Sequence, residues 1–257
     1  PRFLVAADLM LTQEDYGSVE RFHSKLNEYM AGIMKEIRKD DRYSDDREVL
    51  VVFPELIGTW LAISDHKHSK YNEVTMMRLI IARPWSFFKC LCQNISSGRY
   101  SGIMGLIQRS IFQLQSKDTL TRYYNCFSNV SKKFGCFTIA GSAYLPNLSI
   151  NSDTRGVPTI SPEDMNSLYN VSLSFSPAGE LIDVTYKSHA VLEELNFLDE
   201  APSDHLHTFA CGGFGQVGVL ICADCWYPES FHQLKDSNRG FAPNIVAVPS
   251  FSDGDWE

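Results

Sequence analysis

Three residues of complementary chemistry stand at the ends of apolar runs: Glu55 after "VVFP", Lys187 after "DVTY" and Cys222 after "GVLI". A thiol attacks carbon only as a thiolate, or with a base to take its proton. A carboxylate can accept that proton and return it to a leaving amine. An ammonium can stabilise the oxyanion that forms when a carbonyl or nitrile carbon is attacked, and one such donor typically lowers a barrier by about 3 to 4 kcal/mol. Acid, amine and thiol thus form a coherent set for covalent hydrolysis if the fold brings them together. Taken singly, each has a plainer reading. Glu55 and Lys187 suit solvated strand ends, and a cysteine closing an apolar strand suits a small buried hydrophobe.

The elements around these residues are expected to form a layered α/β sheet. "RFLVAA" reads as a short buried strand. In the stretch after it, Val19, Phe22, Leu26, Tyr29, Ile33 and Ile37 recur at the three- and four-residue spacing of a helix with one apolar face. "VLVVFPE" is a continuous apolar run stopped by Pro54, as expected of a strand buried on both faces. Residues 61–117 lack strand character and predict an inserted segment of two or more helices with apolar faces, interrupted at "ARPW". A helix through Leu120, Tyr123, Phe127, Val130 and Phe134 ends at Gly135 and delivers the strand "CFTIAGSAYLP".

Downstream, "TRGVPTISPEDM" reads as a loop rich in turn formers. Two alternating runs joined by Pro-Ala-Gly predict a hairpin ending at Lys187, and "HTFACGGFGQVGVLIC" predicts a second with a glycine-rich turn. "PESFHQLKDSNRG" is a helix opened by proline and closed by Gly240, and "NIVAVPS" is a further strand. Strand ends in open α/β sheets face a shared crevice where ligands bind, which is the place the three residues would meet. The sequence stops at "FSDGDWE", just after a buried strand, so a C-terminal portion of the domain is expected beyond it.

Composition narrows the classes. A chain of 257 residues, 44% hydrophobic and 21% charged, suits one globular domain. A net charge of -8, with only short basic runs, disfavours nucleic-acid binding. The most apolar span, "MMRLIIARPWSFFKCLC", contains two arginines, a lysine and a proline and cannot cross a membrane. Seven cysteines, an odd number scattered through apolar runs, suit reduced thiols and a cytoplasmic protein. Four Asn-x-Ser sequons, at Asn94, Asn129, Asn147 and Asn170, point the other way, towards secretion.

"VVFPELIGTW", "YKSHAVLEE" and "GVLICADCWYPE", in that order, resemble the signature segments of the nitrilase superfamily, the carbon-nitrogen hydrolases. "AGSAYLP", "SPAGEL" and "RGFAPNIVAVPSF" add to the likeness, which spans nearly the whole chain outside 61–117. The resemblance implies an α-β-β-α sandwich, no cofactor or metal, and a homodimer or larger assembly acting on a small amide, nitrile or carbamoyl compound. It assigns Glu55 as general base and acid, Lys187 as oxyanion stabiliser and Cys222 as the nucleophile that becomes a thioester. The backbone amide of Ala223 matches a second oxyanion donor, and Glu194 a second glutamate, with Glu193 as the fallback because "LEEL" leaves the register open by one. Trp226 and Tyr227 could line the pocket or simply pack, while Asp224 and Glu229 are expected to hold the loop and the next helix.

Two departures stand out. Many family members have a tyrosine where this chain has Ala223, and few have so long an insertion before the "AGSAYLP" strand. The insertion is expected to border or cover the substrate entrance. The competing readings are a redox or zinc protein built on Cys222-x-x-Cys225 with His205, His207 or Cys211, a catalytically silent binding module, and a cysteine peptidase with His189 or His207 as base.

Overall fold

The computed structural model describes residues 1–64, 80–152, 158–201 and 205–251. Six strands form the larger sheet: β1 (Arg2–Ala6), β2 (Glu48–Val52), β3 (Phe137–Ile139), β4 (Ala143–Ser152), β5 (Pro158–Phe175) and β6 (Leu181–Tyr186). β1, β2 and β3 run parallel, whereas β3, β4 and β6 are antiparallel to β5. A smaller sheet contains β7 (Thr208–Ala210), β8 (Gln216–Val219) and β9 (Ile245–Ala247). The helices are α1 (Val19–Ile37), α2 (Pro84–Ser97), α3 (Gly102–Phe134) and α4 (Pro228–Ser237).

Strand periodicity sets the layers, because successive side chains point to opposite faces. Val49 and Val51 of β2 pack with Phe22, Leu26 and Met30 of α1 and with Tyr123 and Phe127 of α3. Leu50, between them, joins Ile139 against Val217, Val219 and Ala247 of the smaller sheet. On the far side of that sheet Leu220 meets Leu234 of α4, and Gly218 lies so close to Leu234 that a Cβ would fall 2.6 Å from its methyl carbon. The apolar clusters therefore run helices, sheet, sheet, helix, which explains why "VLVV" and "VGVLI" carry no polar alternation.

Four sequence expectations need correction. The helical insertion does not end at 117: α3 is one helix of 33 residues, since nothing between Lys117 and Leu120 breaks it. The opening strand β1 is not buried: its residues alternate between exposed and half-buried, and Leu4 is 57% exposed. Most of "TRGVPTISPEDM" that is described, from Pro158 onward, is strand, held by pairing of Pro162 to Leu148 and Ile160 to Ile150; Thr154–Val157 lie outside the described residues. The run "CFTIAGSAYLP" is two strands, β3 and β4, both along β5, broken where Gly141 takes a φ of +71°. The two hairpins, α1 and the Pro228 helix form as expected.

Candidate active site

Glu55 sits just beyond β2, on a turn whose next residue, Leu56, adopts a φ of +61°. The break between β3 and β4 shapes that turn. Ser142 Oγ accepts the Leu56 N–H at 2.9 Å, Ser142 O accepts the Gly58 N–H at 2.9 Å, and a Cβ on Gly141 would lie 2.0 Å from Pro54 O. Lys187 follows β6, its N–H donating to Asn170 O on β5 at 2.9 Å. Cys222 opens a short helical turn after β8, with a φ of +49° and its N–H on Pro249 O at 2.8 Å. Left-handed backbone at a non-glycine residue is strained, and such strain gathers where a side chain must be presented.

The charged groups converge. Lys187 Nζ donates to Glu55 Oε1 at 2.8 Å and to Glu194 Oε2 at 2.7 Å, with all three residues buried at 2% to 4% exposure. Of the two adjacent glutamates, Glu194 is the one bonded to Lys187, and Glu193 is exposed. Burial alone would lower the lysine pKa, but the two carboxylates outweigh it and hold the group above its ordinary value. Half-buried Cys222 shares this pocket. Burial pushes its thiol up to about 11, Glu55 pushes it the same way by charge and hydrogen bond, and Lys187 pulls weakly against them. The free thiol is therefore protonated at neutral pH, with a carboxylate in place to receive its proton.

Neighbouring groups fix the pocket. Asp224 is fully buried. Its Oδ1 accepts the N–H groups of Ser188 at 3.0 Å and His189 at 2.7 Å, and its Oδ2 accepts Ile221 N–H at 3.2 Å. Burial raises its pKa, partly offset by these donors. Tyr144 is held well above the ordinary phenol range, by burial first and then by the charges of Glu194 and Glu55.

Of the remaining sequence candidates, Ala223 is buried directly after the thiol. Tyr227 stacks on His189 with ring centroids 3.8 Å apart, and Trp226 is 66% exposed. Glu229 lies in the first turn of α4, as expected, and also approaches His189 Nε2 at 3.8 Å.

The described part of the insertion packs against Tyr144 and the residues that follow Glu194. Phe112 of α3 packs on Tyr144 at 5.0 Å and on Phe197 at 5.8 Å, and buried Arg109 donates to Phe197 O at 2.8 Å and to Asp199 Oδ2 at 2.7 Å. It thus braces the segment that carries Glu194.

The packing does not favour the cysteine-pair reading. Cys222 packs against the cluster between the sheets, whereas Cys225 packs against the cluster under α4. His207 is paired with Asp183 at 2.6 Å, and Cys211 is buried between the sheets. Among the described residues no group of three His, Cys, Asp or Glu side chains could hold a metal ion. His189, the peptidase candidate, is held by Asp224 at 3.1 Å, while the charges acting on the thiol come from Glu55 and Lys187. All seven cysteines are free thiols. Two sequons are buried, Asn94 against Ser110 and Gln113 and Asn170 against the two glutamates, so neither can carry a glycan in the folded protein. No helix among the described residues is long and apolar enough to cross a membrane.

Sequence reasoning missed Asn170, Tyr144 and Ser142. Asn170 carried a signal: in "YNVSLSF" the alternation that turns Val171, Leu173 and Phe175 to the helices sends Asn170, Ser172 and Ser174 to the other buried face. A polar residue there requires a partner.

No protein-family description matches the sequence, and no curated protein does. Solved structures are similar in fold. A carbon-nitrogen hydrolase from Helicobacter pylori G27 shares 17% identity over 91% of this chain and 58% of its own, with a TM-score of 0.49. Saccharomyces cerevisiae Nit3, a member of branch 10 of the nitrilase superfamily, shares 19% over 93% and 62%, with a TM-score of 0.48. An amidase from Nesterenkonia sp. AN1 shares 14% over 93% and 64%, also at 0.48. The chain thus spans less than two thirds of the length of these structures.

Proposed function

We propose that this chain is a nitrilase-type hydrolase that cleaves the carbon–nitrogen bond of a small, linear, non-peptide amide through a thioester on Cys222. The reading rests on one observation: an ammonium is clamped between two buried carboxylates, and both it and Glu55 act on the Cys222 thiol. The three segments that supply Glu55, Lys187 and Cys222 are also those that resemble the family's signatures.

Cys222 Sγ attacks the carbonyl carbon while Glu55 takes the thiol proton, so no free thiolate need form. The oxyanion is met by the Ala223 N–H and by Lys187. The ammonium has three donors, and two are committed to Glu55 and Glu194, which leaves one for the oxyanion. Collapse of the tetrahedral intermediate breaks the carbon–nitrogen bond, and Glu55 returns its proton to the departing amine. Glu55 then deprotonates a water that attacks the thioester. Expulsion of the thiol releases the carboxylic acid and restores the starting state.

The test is intact-protein mass spectrometry after incubation with a panel of amides and nitriles. The expected result is an acyl adduct mapped to Cys222 and absent from Cys222→Ala. Turnover by Cys222→Ala at the wild-type rate, or an adduct on Cys225 alone, would reject the proposal.

A further inference from the structure

Asn170 is the one described residue hydrogen-bonded to Glu55, Glu194 and Lys187 together. Its Nδ2 donates to Glu55 Oε1 and to Glu194 Oε1, each at 2.9 Å, and its backbone oxygen accepts the Lys187 N–H at 2.9 Å. Of the two ends of the amide only the NH2 can donate to two carboxylates, so the chemistry fixes its orientation. The cost is visible at the other end, where Asn170 Oδ1 is buried without a partner among the described residues. An amide held with one end unsatisfied is not there for packing alone.

The distribution of donors separates the two glutamates. Glu194 receives Asn170 on Oε1, and Lys187 and the Val191 N–H on Oε2, so both of its oxygens are engaged. Glu55 receives Asn170 and Lys187 on the same atom, Oε1. No protein donor from Asn170 or Lys187 reaches Glu55 Oε2. The two carboxylates and one ammonium leave this buried group with an excess negative charge. Two charge-assisted bonds from one neutral amide stabilise that excess without adding charge.

We propose that Asn170 is a positioning residue that pins Glu55 through Oε1 and thereby dedicates Oε2 to the proton of Cys222, while it locks Glu194 as a fixed counter-charge to Lys187. The proposal rests on the reading of Glu55 as the base. It implies that thiol reactivity at neutral pH, where the thiol is protonated, depends on Asn170, whereas reactivity as free thiolate at high pH does not.

The experiment measures alkylation of Cys222 by iodoacetamide against pH, read by mass spectrometry of the Cys222 peptide so that other thiols do not interfere. In the reaction a carbon–sulfur bond forms, iodide leaves, and the thiol proton passes to Glu55 and then to solvent. Asn170→Leu keeps the shape and removes the donor. It is expected to slow alkylation at pH 7 by at least about tenfold, with the rates converging as the pH approaches the thiol's own titration. Asn170→Asp is expected to be slow at pH 7 and to recover on acidification, because a protonated carboxyl can donate one hydrogen bond and an ionised one cannot. Thiolate chemistry alone would show the opposite trend.

Thermal unfolding of each variant checks that it is folded, and the near-isosteric aspartate serves if the leucine variant is not. Wild-type alkylation of Asn170→Leu at pH 7 would overturn the proposal, as would equal slowing at both pH extremes or an aspartate variant that fails to recover. Glu55→Gln separates the two readings. If it too leaves neutral reactivity unchanged, the base assignment itself falls; if only the glutamine variant is slow, Asn170 alone has been misread.

Discussion

The carboxylate of Asp224 accepts the backbone N–H of His189 at 2.7 Å and that of Ser188 at 3.0 Å, which fastens the turn carrying Cys222 to the strand end carrying Lys187. The third bond, to Ile221 N–H, ties Asp224 back to its own strand. One fully buried side chain therefore sets the spacing between thiol and ammonium. Asp224→Ala strands three buried N–H groups, and the expected loss of stability is about 3 kcal/mol or more. Urea denaturation checks this. A change within about 0.5 kcal/mol would show that water replaces the carboxylate and that the junction is not stapled.

Burial first, and then the charge of Glu55, push the Cys222 thiol up to about 11, because a low dielectric and a nearby negative charge both disfavour thiolate. Removal of that charge in Glu55→Gln should lower the thiol pKa, so the thiolate absorbance appears at lower pH than in the wild type. The same variant should lose hydrolysis by at least about a hundredfold, since a general base commonly contributes that much. A lower pKa with lower activity is the informative pair, because a simple thiolate mechanism predicts that the two move in opposite directions. Unchanged thiol titration would mean that the carboxylate does not face the sulfur.

Much of the framework was legible in the sequence because strand burial on two faces leaves a plain mark. "VLVV" and "VGVLI" signalled buried strands, and the positions just beyond them held the acid and the thiol. What stayed hidden was the matching of segments distant in the chain. Asn170 shows no chemistry until Glu55, 115 residues earlier, comes within 2.9 Å. Its sequon suggested a surface role, the reverse of its burial. The apolar face expected of the insertion is present in α2, where Trp85, Phe88 and Ile95 turn outward, because periodicity identifies an apolar face without saying what it meets.

Gly141 gives a test of the link between the strand break and the base. At φ +71°, with Pro54 O only 2.0 Å from where a Cβ would stand, Gly141→Ala combines backbone strain with a clash against backbone that cannot swing aside. Stability should fall by about 2 kcal/mol, and activity should fall further than stability alone explains, because the displaced Pro54 carries Glu55 with it. Gly135, also at positive φ but with open space around it, is the control. Gly135→Ala should lose about 1 kcal/mol from strain and keep its activity.

Arg109 tests whether the insertion supports the site. Its fully buried guanidinium bonds Asn94 Oδ1, Phe197 O, Asn166 O and Asp199 Oδ2, joining α2, α3 and β5 to the segment after Glu194. Arg109→Met should cost about 3 to 5 kcal/mol, because Phe197 O loses its donor and Asp199 loses its buried ion-pair partner, keeping only the Leu168 N–H and the half-exposed Arg99 at 3.9 Å. In the double variant Arg109→Met, Asp199→Asn part of that loss should return, since the stranded charge is gone. Chemical denaturation of the four proteins measures the coupling, and additive losses would show that the pair does not act as a unit.

The pair His207 and Asp183 makes stability depend on alkaline pH independently of Glu55, Lys187 and Cys222. The hydrogen bond to buried Asp183 raises His207 to about 9 from an unfolded value near 6.5, against the opposing effect of burial. A histidine raised by folding stabilises fully below its unfolded pKa, and that contribution disappears as the pH rises through the folded one. The loss therefore falls between about pH 6.5 and 9. His207 is 47% exposed, so solvent screens the pair and the effect is modest. His207→Gln should flatten the fall in melting temperature across that window relative to the wild type. The same slope in both proteins would assign the fall to other groups and leave the Asp183 contact without a role in stability.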